Sequence, residues 1–221
     1  MSAAVFQRDV IFLVADRHME AVLEGLLGRP QSLSIRAITY VIRTHPEKDP
    51  GCYLTAHDFL RPFSRRYRHS LVMFDREGCG SDAGSRETLE KELEGRLARN
   101  GWPERARAIV IDPELEAWVW SDSPQVDRML GWADVAPDLR QWLTQQGLLQ
   151  ETHIKPVRPK EAMQAALRNV RKPHSSAIFR QLAENVSLRR CSDPAFQKLK
   201  TTLQSWFPPE TELENAEEKN P

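Results

Sequence analysis

The sequence predicts a three-layer α/β sandwich built on a mostly parallel central sheet, continued by a helical C-terminal part. Three observations predict it. Short apolar runs at 10–15, 70–74 and 108–111 lack polar alternation and are bounded by polar, Gly and Pro segments, as strands buried on both faces are. Stretches with helical spacing separate them, giving the order β-α-β-α-β-α-β-α. Acidic residues crowd the ends of the apolar runs, where open α/β sheets place their ligand sites.

Residues 1–9 read as a lead-in to the first strand, Val10-Ile11-Phe12-Leu13-Val14-Ala15, which runs into Asp16. Met19, Val22, Leu23, Leu26 and Leu27 then recur with helical spacing until Gly28 and Pro30 end the helix. A second strand is expected over 34–42, from Ile35, Ile38 and Tyr40-Val41-Ile42. The polar stretch 43–51, with two prolines and a glycine, reads as a loop, and 54–63 as a short helix over the sheet.

The third strand, 70–74, runs into Asp75-Arg76-Glu77 and a loop kept open by Gly78, Gly80 and Gly84. Leu89, Leu93 and Leu97 mark a helix over 86–100, with Glu and Lys/Arg near neighbours on its wet face. The fourth strand, 106–111, leads to Asp112-Pro113-Glu114-Leu115-Glu116 and a helix start at 115–120, on which Trp118 and Trp120 are packing residues. Helical spacing returns at 139–149, 161–170, 179–186 and 195–207, with 155–160 a proline-broken connector. The organisation is an α/β core at 1–134, a helical extension packed on it at 135–207, and an acidic tail at 208–221, expected to be disordered. There is no internal repeat.

Lys plus Arg and Asp plus Glu each number 31, so the chain has no formal net charge and no general sink for nucleic acid is indicated. Local basic stretches remain: residues 151–190 hold nine Lys/Arg against three Glu. Arg61, Arg65, Arg66 and Arg68 flank the third strand, either as a nucleic-acid groove or as a solvated helix end. Three scattered cysteines provide neither a disulfide framework nor a zinc cluster and fit a reducing cytoplasm. No leader pattern and no apolar run of membrane length is present, so a cytoplasmic protein without a membrane partner is expected. No P-loop and no Gly-x-Ser-x-Gly elbow occurs.

Carboxylates gathered at strand ends repel one another unless a cation or proton offsets them. Asp16, Glu20, Asp75, Glu77, Asp112, Glu114 and Glu116 are the candidate metal ligands, and hard oxygen donors suit Mg2+ or Mn2+. The chemistry that uses such a site is phosphoryl transfer or phosphodiester cleavage. Asp16, Glu20, Asp75 and Glu77, with Lys160 and Lys172 as phosphate contacts, form the candidate catalytic set. Asp16, Asp75 and Asp112 also suit plain helix caps. His18, between Asp16 and Glu20, is a further possible ligand or base.

This pattern resembles the TOPRIM-like superfamily, the metal-binding core of topoisomerases, primases and several nucleases. More narrowly, it is similar to a bacterial family of TOPRIM-like proteins found near phage-defence genes. The residues that carry the resemblance are Ala15-Asp16-Arg17-His18-Met19-Glu20, the pair Asp75 and Glu77, and Pro113-Glu114-Leu115-Glu116-Ala117-Trp118. It implies an Mg/Mn-dependent nuclease of an antiviral defence system, acting on nucleic acid with partner proteins of that system or as a homo-oligomer. Asp16 stands where the family has glutamate, Arg17 where it has glycine, and Glu77 where the superfamily has a second aspartate. Those departures equally imply a non-catalytic TOPRIM-like subunit or sensor in a defence complex.

Overall fold

The computed structural model describes residues 6–81, 84–121 and 123–209. The acidic tail beyond 209 lies outside them. Four strands form one all-parallel sheet: β1 (Arg8–Val14), β2 (Tyr40–Thr44), β3 (Tyr67–Asp75) and β4 (Ala106–Ile111), in the order β2-β1-β3-β4. Residues 10–15, 71–74 and 108–111 are fully buried, which explains their unbroken apolar character. The fold class read from the sequence is the one observed.

The helices are α1 (Arg17–Leu27), α2 (Pro30–Leu33), α3 (Lys48–Leu54), α4 (Ala56–Leu60), α5 (Arg86–Arg99), α6 (Pro124–Leu130), α7 (Leu139–Gln145), α8 (Pro159–Asn169), α9 (Ser176–Asn185) and α10 (Pro194–Trp206). α1 lies against α9, while α3 packs on α4 and α5, so the two sets of helices sandwich the sheet. Gly25 permits the α1–α9 approach: a Cβ there would stand 2.8 Å from both Ala183 Cβ and the Arg180 carbonyl oxygen. The helices after Asp134 share the central core, since α9 covers α1 and α10 covers β4.

Three segments differ from the sequence reading. The second strand begins later, at Tyr40, because Ser34 turns through φ 58° and Asp9 pins the preceding chain through the Thr39 N–H (2.8 Å) and Arg36 (2.6 Å). The expected loop at 43–51 instead completes β2 and opens α3; Pro50 falls in the first turn, where its missing N–H costs no helical bond. The helix expected at 115–120 is a 3-10 turn, Leu115–Trp118.

β4 is an edge strand, and edges invite pairing with other chains. Here α5 closes it: Glu94 and Glu90 accept the outward N–H groups of Ala108 and Val110, each at 3.0 Å. Lys198 on α10 reaches both carboxylates, at 3.0 and 2.8 Å. Polar side chains thus finish the ladder that no fifth strand completes.

Candidate functional site

β1 passes to β2 on one side and β3 lies on the other, so the strand order reverses between β1 and β3. Chains leaving two such neighbours diverge to opposite faces and leave a crevice at the strands' carboxyl ends. Asp16 follows β1 and Asp75 ends β3, which puts both at that crevice.

Asp16 is the N-cap of α1: its Oδ1 accepts from the N–H groups of His18 (2.9 Å) and Met19 (3.0 Å). Its second oxygen is free of the cap and lies 3.8 Å from His18 Nδ1. Capping and site membership are therefore compatible for this residue.

Asp75 is the centre of the cluster. Its N–H donates to Asp49 Oδ1 at 2.9 Å, which ties the start of α3 to the end of β3. Part of the residue reaches solvent, but Asp75 Oδ1 is sealed and has no hydrogen-bond partner. Burial drives its carboxyl well above the ordinary range, and Asp49, Glu116 and Asp16 push the same way against Lys160. Asp49 is raised too, by burial and by Asp16, although its own hydrogen bonds oppose the rise.

The segment after β4 delivers Glu114 and Glu116, both buried. Glu114 Oε1 accepts the Lys160 N–H at 2.9 Å, and its Oε2 lies 3.5 Å from Lys160 Nζ. Trp120 holds the same place from behind, its Nε1 donating to the Pro159 carbonyl at 3.0 Å. Together they fix the first turn of α8 and so aim Lys160. Glu116 is pushed up to about 6 by burial, with Glu114 and Asp16 adding to the rise and its own backbone bond and Lys160 opposing it. Burial works against the Lys160 ammonium, but Glu116, Glu114 and Asp75 overcome it and raise its pKa.

Two imidazoles complete the wall. His18 stacks on Phe179 at 4.7 Å and meets the His174 ring edge-on at 4.8 Å. Burial lowers the pKa of both, and Lys160 adds to it against the pull of Asp16. His174 Nε2 lies 3.6 Å from Glu116 Oε1, too long for a hydrogen bond, and is buried without a partner.

The crevice thus gathers Asp16, Asp75, Glu114, Glu116 and Lys160 from the sequence-derived set. Glu20 stands in the first turn of α1, half-buried, with no side-chain partner among the described residues. Glu77 is exposed beside the Gly78 turn. Asp112 turns away to Arg76, at 2.8 Å on the surface. Lys172 donates to the Met129 carbonyl at 2.6 Å and so closes the end of α6. The sequence reading missed Asp49, hidden in the presumed loop, and His174, which stands just before α9. The signal for Asp49 was present: Pro46-Glu47-Lys48-Asp49 is the acidic segment at the end of the remaining strand.

No protein-family model, curated protein or solved structure matches this chain. Among the described residues no three His, Cys, Asp or Glu side chains stand arranged as a ready cation cage. In donor chemistry the set suits a hard divalent cation: Asp16, Asp49 and Glu116, from three other segments, act electrostatically on Asp75, whose Oδ1 has no hydrogen-bond partner. Among the described residues no helix is long and apolar enough to cross a membrane.

Proposed function

We propose that the chain is an Mg2+- or Mn2+-dependent phosphodiester hydrolase acting on nucleic acid, of the TOPRIM-like kind. One observation carries it: a buried carboxylate with an orphaned oxygen, Asp75, ringed by Asp49, Asp16 and Glu116 and faced by one lysine. Structural ion pairs neutralise charge, whereas this cluster accumulates it at a strand-end crevice, as functional sites do. Asp75, Asp49, Asp16 and Glu116 would hold the cation. A bound divalent ion would offset their repulsion, polarise a phosphate and make its bound water more acidic.

The chain's own groups supply the rest. Lys160 presents an ammonium, kept charged by Glu114 and Glu116, to the non-bridging oxygens of a phosphate entering the crevice. Glu114 holds that lysine through both backbone and side chain. The His18, His174 and Phe179 rings exclude water from one side. The resemblance to proteins encoded near phage-defence genes supplies the biological setting, antiviral defence together with partner proteins.

A second function has its own support. Glu77 faces solvent and Asp112 is paired with Arg76, so the carboxylates after β3 and β4 are fewer at the crevice than the sequence offers. That favours a non-catalytic TOPRIM-like subunit or sensor. Thermal melting with Mn2+ separates an ion site from none: a cation that binds only the native state raises Tm with concentration. The raise should vanish in Asp75→Asn. Cleavage of single-stranded DNA, duplex DNA and RNA by the Mn2+-loaded protein then tells hydrolase from sensor. No Mn2+-dependent rise in Tm at millimolar concentration would remove the ion site and the hydrolase with it.

A further inference from the structure

We propose that the end of the molecule opposite the carboxylates is a separate binding site for the phosphate backbone of nucleic acid, built from exposed arginines. Two segments meet there. Residues 61–68 carry Arg61, Arg65, Arg66 and Arg68 and no acid, and residues 99–107 carry Arg99, Arg105 and Arg107 with a single Glu104. Arg105 joins them, its guanidinium donating to the carbonyls of Ser64, Tyr67, Arg68 and Gly101 at 2.8 to 3.1 Å. Seven arginines against one glutamate is a strong local excess on a chain with no net charge.

The excess is unpaired. Arg61, Arg65, Arg66, Arg68 and Arg99 are exposed, and among the described residues none has a carboxylate within 4.0 Å. Elsewhere Arg36, Arg76 and Arg158 pair with a carboxylate, and Arg86 and Arg180 with two each. Arg61, Arg65 and Arg99 also line one open concavity of about 610 Å3, together with Ser64 and Asn100 and without an acidic side chain. Among the described residues the Arg61, Arg65, Arg68 and Arg99 guanidiniums make no side-chain hydrogen bond or ion pair and are open to anions, while Arg66 Nε donates to Gln7 Oε1 at 3.2 Å.

The chemistry selects phosphate. A guanidinium fork matches two phosphate oxygens, and a row of them suits a repeating anion. A folded protein partner would be expected to meet an apolar or aromatic anchor at the middle of its interface. Among the described residues the exposed large apolar side chains are Leu54, Ile154 and Val157, none of them in these segments. The patch is also remote from the carboxylates: β3 runs from Tyr67 to Asp75, eight steps of about 3.3 Å, or roughly 26 Å. A duplex touching both ends would span at least about eight base pairs at about 3.4 Å each. The arginines therefore anchor the polymer away from the crevice, and the site stands whether or not the crevice is a hydrolase.

The test is binding of a duplex of about 20 base pairs by the whole protein in chelator, between about 50 and 200 mM salt. Fluorescence anisotropy should show log K falling linearly with log salt, by about 0.9 per phosphate contacted. Replacing Arg61, Arg65 and Arg99 together by Gln should flatten the slope by about 2 to 3, whereas the triple Lys variant should retain most of it. Unchanged melting of both variants shows that charge and not folding is responsible, and the Lys variant keeps the test alive if the Gln variant is unstable. Asp75→Asn should leave the slope unchanged, and the Gln triple should leave any Mn2+-dependent rise in Tm unchanged, so the two sites fail separately. Salt-insensitive binding, a folded Gln triple that binds like wild type, or preference for polyglutamate over DNA would each overturn the proposal.

Discussion

Glu116 is the most direct probe of the stress in the crevice. Its carboxyl is 3 % exposed and is held at about 6 rather than 4.5, chiefly by burial. The raised value means the folded protein takes up this proton more readily than the unfolded chain does. The associated stability is fully present below about 4.5 and is lost as pH rises through about 6. Moving this proton's midpoint from 4.5 to about 6, at about 1.4 kcal/mol per tenfold, amounts to about 2 kcal/mol. Glu116→Gln is nearly isosteric, stays neutral and removes this titration. The stability of the variant relative to wild type should therefore improve by about 2 kcal/mol between pH 4 and pH 8 in chelator. For a chain of this size that is about 4–8 °C in the Tm difference. Removing the charge also relieves Asp75, which feels Glu116 directly. Differential scanning calorimetry of both proteins across that range, without metal, measures the gap. A gap that stays flat, or that closes as pH rises, would mean Glu116 is not under electrostatic strain.

Two further substitutions test how the fold supports the crevice. Gly51→Ala would set a Cβ 2.0 Å from His45 Nδ1, an atom already bonded to the Glu47 N–H, and should displace α3 at a cost of about 1–3 kcal/mol; because α3 carries Asp49, any Mn2+-dependent stabilisation should weaken with it, read by melting with and without the ion. Glu90→Ala would orphan the Val110 N–H and leave Arg86 with Glu87 alone and Lys198 with Glu94 alone; it should cost about 1–3 kcal/mol in urea unfolding, with light scattering reporting association through the opened β4 edge, and Glu90→Gln, which keeps an acceptor, should cost less.

The sheet was legible because β1, β3 and β4 carry apolar runs without alternation, the pattern that burial on both faces produces. The β1, β3 and β4 ends were legible for the same reason, and with them Asp16, Asp75, Glu114 and Glu116. β2 was misplaced because it is an edge strand with half-exposed residues, so its burial signal is weak, and its start is set by Asp9 rather than by local preference. Missing the end of β2 meant missing Asp49. Glu77 and Asp112 illustrate the opposite failure. Both follow strands and satisfy the spacing, but the turn at Gly78 sends one to solvent and Arg76 draws the other away. His174 depends on α9 lying against α1, a contact between segments about 150 residues apart that no local pattern encodes.

The arrangement around Lys160 connects these features to function. A half-exposed lysine beside acids ordinarily reads as a structural ion pair, and Glu114 alone would satisfy it. Glu114 is committed through the Lys160 N–H and ammonium, yet Glu116, Asp75 and Asp49 remain in the same field with raised pKa values. One ammonium does not neutralise them, and at neutral pH the remainder is relieved only by protons or by a cation. The backbone that presents this group is constrained: Gly51 lies too close to His45 to carry a Cβ, and Lys48 stands at φ 52° immediately before Asp49. Residues held in sparsely populated conformations persist where the surrounding structure over-determines them, and they gather at sites of function. Carboxyl residues dispensable to the fold would be expected to lose their charge by substitution, so the stress itself is the reason to look for an ion that relieves it.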